Sequence, residues 1–383
     1  MKKILILGGS HRDIPLIEAS QELGYFVITL GNRDYYLGHD YSDKSYKVNF
    51  NDLAKVKEII KSERVDYLLP GSGEESYLNT VQLAQELGIG NFDTLETARL
   101  VHNKWKFKEF CLENSISTPS GTCYIDDMNL DNIVFPVAVK PTNLSGGRGV
   151  DIVDNLEDLR GSLLKAKEVS DEIFLEGYIN GELVAYSVII RDKKIVYGFT
   201  GIDATYINKY LITSAYPVQL EIATLKKLKD DVEKLSKLLS LVDGMFHLQV
   251  IIKKGVPYII DVTRRIPGDF YPYLMEYCDT VEYSKAVVKS YIGEPLKDEL
   301  DAAEEQKFVM RHCVMSDKNG IFMGIQIDKS LEKNVIFRID LMNKGYEITN
   351  FITDQIAIIF VQVLDKDKYV VDNINKLIHP MVT

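Results

Sequence analysis

Short apolar runs alternate with longer amphipathic stretches through residues 1–92 of the chain. The apolar runs, which predict buried parallel strands, lie at residues 3–7, 25–30 and 65–69. The stretches with apolar side chains at helical spacing lie at residues 14–23, 52–61 and 76–87. Gly24 and Gly88 stand where two of these helices would end. A regular alternation of strand and helix predicts a Rossmann-like α/β unit with a doubly wound parallel sheet.

Small and polar residues follow two of these predicted strands. Ligands of doubly wound sheets bind at the carboxyl ends of the strands, so Ser10, Gly71 and Glu74 are candidate substrate residues. Turn geometry alone also accounts for glycines at such places, and both explanations stay open. A dinucleotide site is disfavoured, because the GxGxxG pattern is missing and no acidic residue follows the second strand at residues 31–33.

A glycine-rich segment in the middle of the chain is its most informative stretch. An apolar strand ending in Lys140 leads into a loop whose candidate ligand-binding residues are Ser145, Gly146, Gly147 and Gly149. Successive backbone N–H groups in such a turn bind anions, and Lys140 adds positive charge beside them. Residues 150–153 return as a strand instead of a helix, which excludes a P-loop. The segment therefore predicts a mobile loop over a phosphate group, with a plain hairpin loop as the alternative.

The rest of the chain predicts a mixed α and β region that ends in short strands. Helices are predicted at residues 103–113, 155–167, 223–241 and 283–292. Asp93 and Glu96 have the spacing of a capping box for another helix. Residues 201–217 are polar and aromatic with little periodicity, which predicts a mobile loop. Short strands separated by glycine turns predict a small β-rich unit after about residue 305.

Composition and charge narrow the possible partners. The 383 residues carry a net charge of −11, which argues against a general nucleic-acid partner. The four cysteines are far apart and contain no CxxC pair, so no zinc site is predicted and reduced thiols are expected. No apolar run has the length of a membrane span, and the first apolar run is too short for a signal peptide. A cytoplasmic protein without membrane partners is expected.

Several candidate residues occur in a fixed order along the chain. Lys104 and Lys140 precede the glycine loop, and Glu176 lies on a strand that runs into a glycine turn. Gln249 lies on a later hairpin strand, and Asp261 and Arg265 follow on its partner strand and the next turn. In this order, residues 1–295 resemble the ATP-grasp superfamily of carboxylate–amine ligases, in particular its amino-acid ligase and carbamoyl-phosphate-synthetase-like branch.

The resemblance implies a fold of three parts. A Rossmann-like domain is expected at residues 1–92, and an α+β ATP-grasp domain with a flap at 142–149 is expected at residues 93–300. A small β-rich domain is expected at residues 301–383. The resemblance also implies that ATP and Mg²⁺ are the cofactors. Lys104 and Lys140 would meet the α- and β-phosphates as point charges.

The resemblance places further residues around the nucleotide base and ribose. Glu176 would lie at the adenine amino group, and backbone groups of Tyr178 and Ile179 would pair with the edge of the ring. Glu182 would reach the ribose hydroxyls. The family usually places this glutamate one residue later, where this chain has Leu183.

A larger departure concerns the metal. The family uses two acidic residues, whereas the corresponding pair here is Gln249 and Asp261. Both residues offer oxygen ligands, which Mg²⁺ prefers, but the glutamine removes one negative charge. Arg265 matches the family's arginine that stabilises the transferring phosphoryl group, so Arg265 and Lys140 are the predicted catalytic residues. Gly268 matches the glycine turn that follows this arginine in the family, and it is a candidate substrate residue.

The implied reaction is ATP-dependent activation of a small-molecule carboxylate as an acyl phosphate, followed by attack of an amine. Two alternatives stay open. One is a carboxylase of the biotin-dependent or purine-pathway type that uses carboxyphosphate. The other, motivated by Gln249, is a nucleotide-binding protein with impaired catalysis. A homodimer is expected only by analogy with the family.

Overall fold

The computed structural model describes residues 1–33, 35–141, 149–208, 211–297, 300–302, 305–363 and 367–383. It begins with a parallel sheet flanked by helices, which confirms the α/β prediction. The elements are β1 (Lys3–Leu7), α1 (Ile14–Glu22), β2 (Phe26–Gly31), α2 (Gly38–Tyr41), β3 (Lys44–Lys47), α3 (Leu53–Glu63), β4 (Tyr67–Pro70) and α4 (Glu74–Leu87). The strand order is β3-β2-β1-β4. The ends of β1 and β4 are neighbours, because these strands pair in parallel up to Leu7 and Pro70.

A second, antiparallel sheet of four strands follows. Its elements, with the two helices that lead to it, are α5 (Leu95–His102), α6 (Lys104–Glu113), β5 (Gly121–Tyr124), β6 (Val137–Pro141), β7 (Asp151–Val153), α7 (Leu156–Lys167) and β8 (Ile173–Gly177). The strand order is β5-β8-β6-β7. Because β6 pairs with β7, the strands on either side of the glycine-rich segment are neighbours, as predicted. The predicted capping box at Asp93 is wrong, since the Thr94 hydroxyl caps α5 by accepting from the Thr97 N–H.

The remaining elements build a large sheet and a smaller one. They are β9 (Glu182–Arg191), β10 (Lys194–Thr205), β11 (Ile212–Pro217), α8 (Ile222–Leu238), β12 (Gly244–Lys253), β13 (Val256–Thr263), α9 (Tyr271–Asp279), α10 (Tyr283–Ile292), β14 (Val309–Met315), β15 (Gly320–Ile327), β16 (Val335–Asp340), β17 (Glu347–Ile348), β18 (Gln355–Gln362), α11 (Lys368–Leu377) and β19 (Ile378–Val382). The eight-stranded sheet has the order β13-β12-β9-β10-β11-β14-β18-β16, and the small sheet has the order β17-β15-β19. Single 3-10 turns occur at His11–Asp13 and Glu332–Asn334.

Alternate residues of β9 show how the large sheet is covered. Ala185 and Ile189 pack in one apolar cluster with side chains of α9 and α10, including Leu274. Tyr186 and Val188 pack on the opposite face with α8. Successive side chains of a strand point to opposite faces, so the sheet is buried between helices on both sides. Among the described residues, no helix combines the length and apolar character that crossing a membrane requires.

The segment at residues 201–217, predicted as a mobile loop, is largely a hairpin. Strands β10 and β11 pair from Gly201 opposite Pro217 to Thr205 opposite Ile212. The strand pattern was hidden because one face of β10 carries glycine and aspartate, at Gly201 and Asp203, where an apolar side chain would be expected.

The strand-rich character predicted for the end of the chain is confirmed, and three of those strands belong to the large sheet. Strand β11 pairs with β14, with Ala215 opposite Arg311, and β18 and β16 follow at the edge. The expected boundary near residue 300 therefore falls between strands of one sheet. The division into three domains stays a prediction.

Candidate active site

Two lysines from different elements meet one buried carboxylate beside the glycine-rich segment. Glu176 in β8 is 4% exposed, and its two oxygens contact Nζ of Lys108 from α6 and Nζ of Lys140 from β6. Glu176 lies opposite Ala138, so Lys140, two residues along β6, projects from the same face. One carboxylate therefore serves two lysines at this corner of the site. The predicted contact of Glu176 with an adenine amino group stays a prediction.

The lysines perturb one another. Burial and, next, repulsion from Lys104 lower the pKa of Lys140 to about 8, while Asp261 acts in the opposite direction. Burial also holds the pKa of Lys108 well below its ordinary value, with repulsion from Lys140 as the next cause. Clustered positive charges that lack enough counter-charge favour a polyanionic ligand. Such a cluster suits the polyphosphate that was predicted for Lys104 and Lys140.

The two predicted metal ligands lie side by side. Gln249 on β12 is directly opposite Asp261 on β13, immediately before a bulge in the pairing. Directly opposed residues project from the same face, so an amide oxygen and a carboxylate can reach one cation. Within the described ranges, no three His, Cys, Asp or Glu side chains form a metal-binding group. These two oxygen donors therefore fit Mg²⁺ only if phosphate oxygens complete its coordination.

His247 precedes this pair on β12. Its Nδ1 lies 2.7 Å from the Ser187 hydroxyl, and the side chain is buried.

The neighbouring arginines 264 and 265 have different surroundings. Arg264 is 4% exposed, and its Nε donates to Asp93 Oδ2 over 2.8 Å. Burial alone would lower the pKa of Arg264, but Asp93 raises it above its ordinary value. Asp93 was assigned to a helix cap from the sequence, and its actual partner is Arg264. This buried ion pair fixes the start of the turn that carries Arg265.

Arg265 retains a donor for a ligand. Its Nη1 donates to the Ile266 carbonyl over 3.0 Å, while its buried Nε has no partner within the described part of the chain. Burial lowers the pKa of Arg265, and the carboxylates of Asp261 and Glu74 oppose this. Arg265, Asp261 and Glu74 therefore share one electrostatic environment, and an anion beside Arg265 would satisfy the free donor.

The predicted substrate residues divide between two places. Ser10 and Gly71 line a cavity of about 690 Å³ between the rim of the first sheet and residues 340–343 and 353–355. The Asp13 carboxylate accepts from the Ser10 N–H over 2.9 Å and from the Ser72 N–H over 2.7 Å, so these donors are already used. Ser10 and Gly71 are small and leave room for a ligand in the cavity. The backbone N–H groups of Ser10 and Ser72 are not available to bind an anion there.

Glu74 and Gly268 are not among the residues that line this cavity. Glu74 begins α4, and partial burial together with Asp261 raises its pKa, while Lys104 lowers it. A Cβ atom at Gly268 would lie 3.2 Å from Cδ of Arg12, which donates from Nε to Asp269 over 2.9 Å. Glu74 thus belongs to the charged centre, and the glycine allows Arg12 to pack against the turn that follows Arg265. Their substrate roles stay predictions.

The residues predicted around the base and ribose lie at the edge of this centre. The Tyr178 N–H donates to the Pro136 carbonyl over 3.0 Å, so this backbone donor is already used. Ile179 is half-buried next to it, and Glu182 is exposed at the start of β9. Gly149 has a φ of +73°. The other predicted flap residues, Ser145, Gly146 and Gly147, lie outside the described residues.

Three buried polar residues of the site were not identified from the sequence. Lys108 lies one helical turn after Lys104, and this spacing was the available signal. Asp203 was hidden in the segment predicted as a loop, and Arg311 in a strand assigned to a separate unit. Only the pairing of β10, β11 and β14 brings Asp203 and Arg311 to the same face as Gln249.

Comparison with known proteins agrees with this architecture. Residues 106–270 match the family described as the D-ala D-ala ligase C-terminus. L-amino acid ligase from Bacillus licheniformis has a TM-score of 0.83 at 16% identity, covering 100% of this chain and 99% of that one. Phosphoribosylglycinamide synthetase from Anaerococcus prevotii has a TM-score of 0.80 at 20% identity, covering 100% of both chains. N5-carboxyaminoimidazole ribonucleotide synthetase from Thermotoga maritima has a TM-score of 0.75 at 18% identity, also covering 100% of both.

Proposed function

Because the chain has the ATP-grasp fold, we propose that it is an ATP-dependent ligase that joins a small-molecule carboxylate to an amine. The observation that carries this proposal is the charged centre formed by Lys104, Lys140, Arg265 and Asp261. Positive charge for a polyphosphate and oxygen ligands for a cation meet there, next to the glycine-rich segment.

The side chains of this centre have separate tasks in the proposed reaction. Lys104 and Lys140 bind the α- and β-phosphates, and Asp261 with Gln249 would hold Mg²⁺. The metal ion, when bound, neutralises phosphate charge. Arg265 directs its free Nε donor at the γ-phosphoryl group, where negative charge is redistributed during transfer. These residues act by positioning and by charge, without a covalent enzyme intermediate.

The reaction consists of two displacements. A carboxylate oxygen of the substrate forms a bond to the γ-phosphorus, and the bond from that phosphorus to the β,γ-bridging oxygen breaks to release ADP. The neutral amine then forms a bond to the acyl carbon of the resulting acyl phosphate. The bond from that carbon to the phosphate oxygen breaks, phosphate leaves with the electron pair, and the nitrogen loses a proton to solvent.

The direct test is a screen for ADP release with a panel of carboxylates and amines, supplied singly and in pairs with ATP and Mg²⁺. The ligase proposal predicts release that requires both a carboxylate and an amine, with an amide product found by mass spectrometry. ADP release stimulated by bicarbonate in the absence of any amine would favour the carboxylase alternative instead.

Gln249 motivates the second candidate, a protein that binds nucleotide but turns it over poorly. Calorimetry that detects ATP binding, together with no phosphate release across the whole panel, would favour this candidate over the ligase.

A homodimer is expected by analogy with the family, and sedimentation equilibrium of the full chain tests this expectation.

A further inference from the structure

The cavity that Ser10 and Gly71 line has a volume of about 690 Å³. One wall is formed by residues that follow β1, β2 and β4 of the first sheet, and the other by residues 340–343 after β16 and 353–355 around the start of β18. Sites for small molecules typically have volumes of about 300–1,000 Å³. The cavity therefore has room for a ring system with substituents.

Aromatic side chains form much of the wall on the side of the first sheet. Tyr35, Tyr36 and Phe50 line the cavity there, and the rings of Tyr35 and Tyr36 meet edge to face with their centres 5.7 Å apart. Tyr35 is 73% exposed, and Tyr36 and Phe50 are half-buried, so these rings have surface left for a ligand. Leu341 and Met342 line the opposite wall. Rings pack favourably against other rings and against apolar side chains, so the two walls suit an aromatic group.

Arg12 supplies positive charge at one end of this cavity. Its Nε donates to Asp269 over 2.9 Å, and its side chain is 43% exposed. Asp269 Oδ2 also lies 3.9 Å from Nη1 of Arg311, so two guanidinium groups share this carboxylate. Within the described ranges, the Nη groups of Arg12 make no hydrogen bond. They are therefore free to bind an anionic group of a ligand.

The end of the cavity at Arg12 is also the end nearest to Arg265. Arg12 packs against Gly268 in the turn that follows Arg265. Burial and, to a lesser degree, the charge of Arg12 lower the pKa of Arg265, so the two guanidinium groups are electrostatic neighbours. An anion bound by Arg12 would therefore lie beside the proposed position of the γ-phosphoryl group.

The wall opposite the first sheet carries carboxylates. Asp340 accepts from Arg338 Nε over 2.7 Å, whereas Asp354 accepts from the Asn350 N–H over 3.0 Å and has no cationic partner in the described part of the chain. Among the described residues that line the cavity, Arg12 is the only arginine or lysine. A second anionic group on the ligand, such as a phosphate, would be repelled by these carboxylates.

We propose that this cavity binds an aromatic carboxylic acid with no second anionic group, with its carboxylate on the Nη groups of Arg12 and its ring against Tyr36 and Phe50. The assignment rests on the proposed ligase function and names the class of its acid substrate. In this orientation the carboxylate, whose oxygen attacks the γ-phosphorus in the proposed reaction, is the part of the substrate nearest to Arg265.

Calorimetric titration of the full chain in MgADP tests this assignment. The panel contains benzoate, para-hydroxybenzoate, phenylacetate and indoleacetate, each compared with its saturated-ring analogue and its primary amide, together with para-carboxyphenyl phosphate. At least one aromatic acid should bind several-fold more tightly than its saturated analogue, because pairing of rings is favourable. It should bind at least about tenfold more tightly than its amide, which has no charge for Arg12.

Three results of this titration would overturn the proposal. They are no binding of any aromatic acid, equal binding of the saturated analogue or the amide, and binding of the phosphate as tight as that of para-hydroxybenzoate.

The variant Tyr36→Leu tests the ring contact, with Tyr369→Leu on the exposed side of α11 as its control. Removing the ring should reduce the preference for the aromatic acid over its saturated analogue to less than twofold, while the saturated acid binds as in the parent. An unchanged preference, including one with both acids weakened equally, would contradict the assignment.

The variant Arg12→Gln tests the carboxylate contact, with Arg160→Gln on the exposed side of α7 as its control. Arg12→Gln should weaken the aromatic acid at least about tenfold and leave the affinity for its amide unchanged. An affinity for the acid within twofold of the parent would show that Arg12 does not bind the carboxylate.

The same titrations separate this proposal from the ligase function itself. Binding of an aromatic acid with no ADP release in any pairing with an amine contradicts the ligase and leaves the cavity assignment standing. ADP release that requires an aliphatic acid, with no aromatic acid bound, contradicts the cavity assignment and leaves the ligase standing.

Discussion

Lys140 is the lysine whose charge matters most for the proposed nucleotide site. It contacts Glu176 in this structure, and burial together with Lys104 lowers its pKa to about 8. The negative groups near the Lys140 ammonium are Glu176 and Asp261. A phosphate group would supply the missing negative charge.

Replacing this lysine by Lys140→Ala should lower ADP release at least about a hundredfold, because one preorganised charge at the reacting phosphates is lost. A coupled ADP assay measures the effect, and Lys237→Ala on the exposed side of α8 is the control. ADP release within a few-fold of the parent would contradict the assignment of Lys140.

At Gln249 this chain has an amide where the ATP-grasp superfamily that it resembles has an acidic residue. In Gln249→Glu a second carboxylate faces Asp261 across the β12–β13 pairing, and Mg²⁺ is attracted more strongly by carboxylates than by amides. Metal affinity and turnover are both expected to rise several-fold. Titration with Mn²⁺ followed by electron paramagnetic resonance measures the affinity directly.

The matched control for this change is Gln326→Glu, which alters the same group on the exposed face of β15. Unchanged Mn²⁺ affinity in Gln249→Glu would show that residue 249 is not a metal ligand.

At the scale of elements, the turn after β13 depends on the buried pair of Asp93 and Arg264. Asp93 Oδ1 also accepts from the Val242 N–H over 2.8 Å, so the carboxylate connects the start of α5, the approach to β12 and the turn that carries Arg265. Arg265 is the next residue, and its direction is set by this anchor.

Asp93→Ala leaves Arg264 buried without its partner, which should lower the free energy of unfolding by about 3–5 kcal/mol. Urea denaturation followed by circular dichroism measures the loss. Asp230→Ala, which breaks the exposed pair of Asp230 with Lys226, should give no comparable change. Equal effects of the two substitutions would contradict the anchoring role of Asp93.

Individual helices and strands also show which elements the sequence patterns predicted correctly and which they missed. Helix α10 was predicted with its observed ends, because its apolar spacing and the following glycine are local signals. The β10–β11 hairpin was missed because the face towards the site carries Gly201 and Asp203, and a strand of this kind has no apolar alternation. The sequence assigned Asp93 to a helix cap, whereas its carboxylate pairs with Arg264, which is far away in sequence.

At the scale of the whole molecule, the eight-stranded sheet joins the middle of the chain to its last eighty or so residues. Strand β14 supplies Arg311 to the site, and Val309 and Cys313 of the same strand pack in one cluster with α9. Ile358 and Phe360 of β18 belong to that cluster too. The end of the chain is therefore part of the core that supports the candidate site.

A chain that ends at residue 300 loses these apolar side chains from the core. Four buried side chains contribute about 8 kcal/mol, which is comparable with the net stability of a typical protein at about 5–15 kcal/mol. The shortened chain should fail to unfold cooperatively in a thermal melt monitored by circular dichroism. A cooperative transition with retained ADP binding would show that the two parts fold independently.

The sequence alone determined the local features of this protein: the parallel sheet, the strands around the glycine-rich segment, and the identity of Lys104, Lys140, Asp261 and Arg265 as candidates. The sheet and the strands follow from periodicity and glycine placement, which are properties of short stretches, and the four candidates follow from the resemblance of their order to the ATP-grasp superfamily. The tertiary structure decided that Lys108 and Lys140 share Glu176, that Asp93 anchors Arg264, and that Asp203 and Arg311 lie on one face of the large sheet. Residues distant in sequence become neighbours only through strand pairing and packing, and no local pattern records which carboxylate a buried cation will meet.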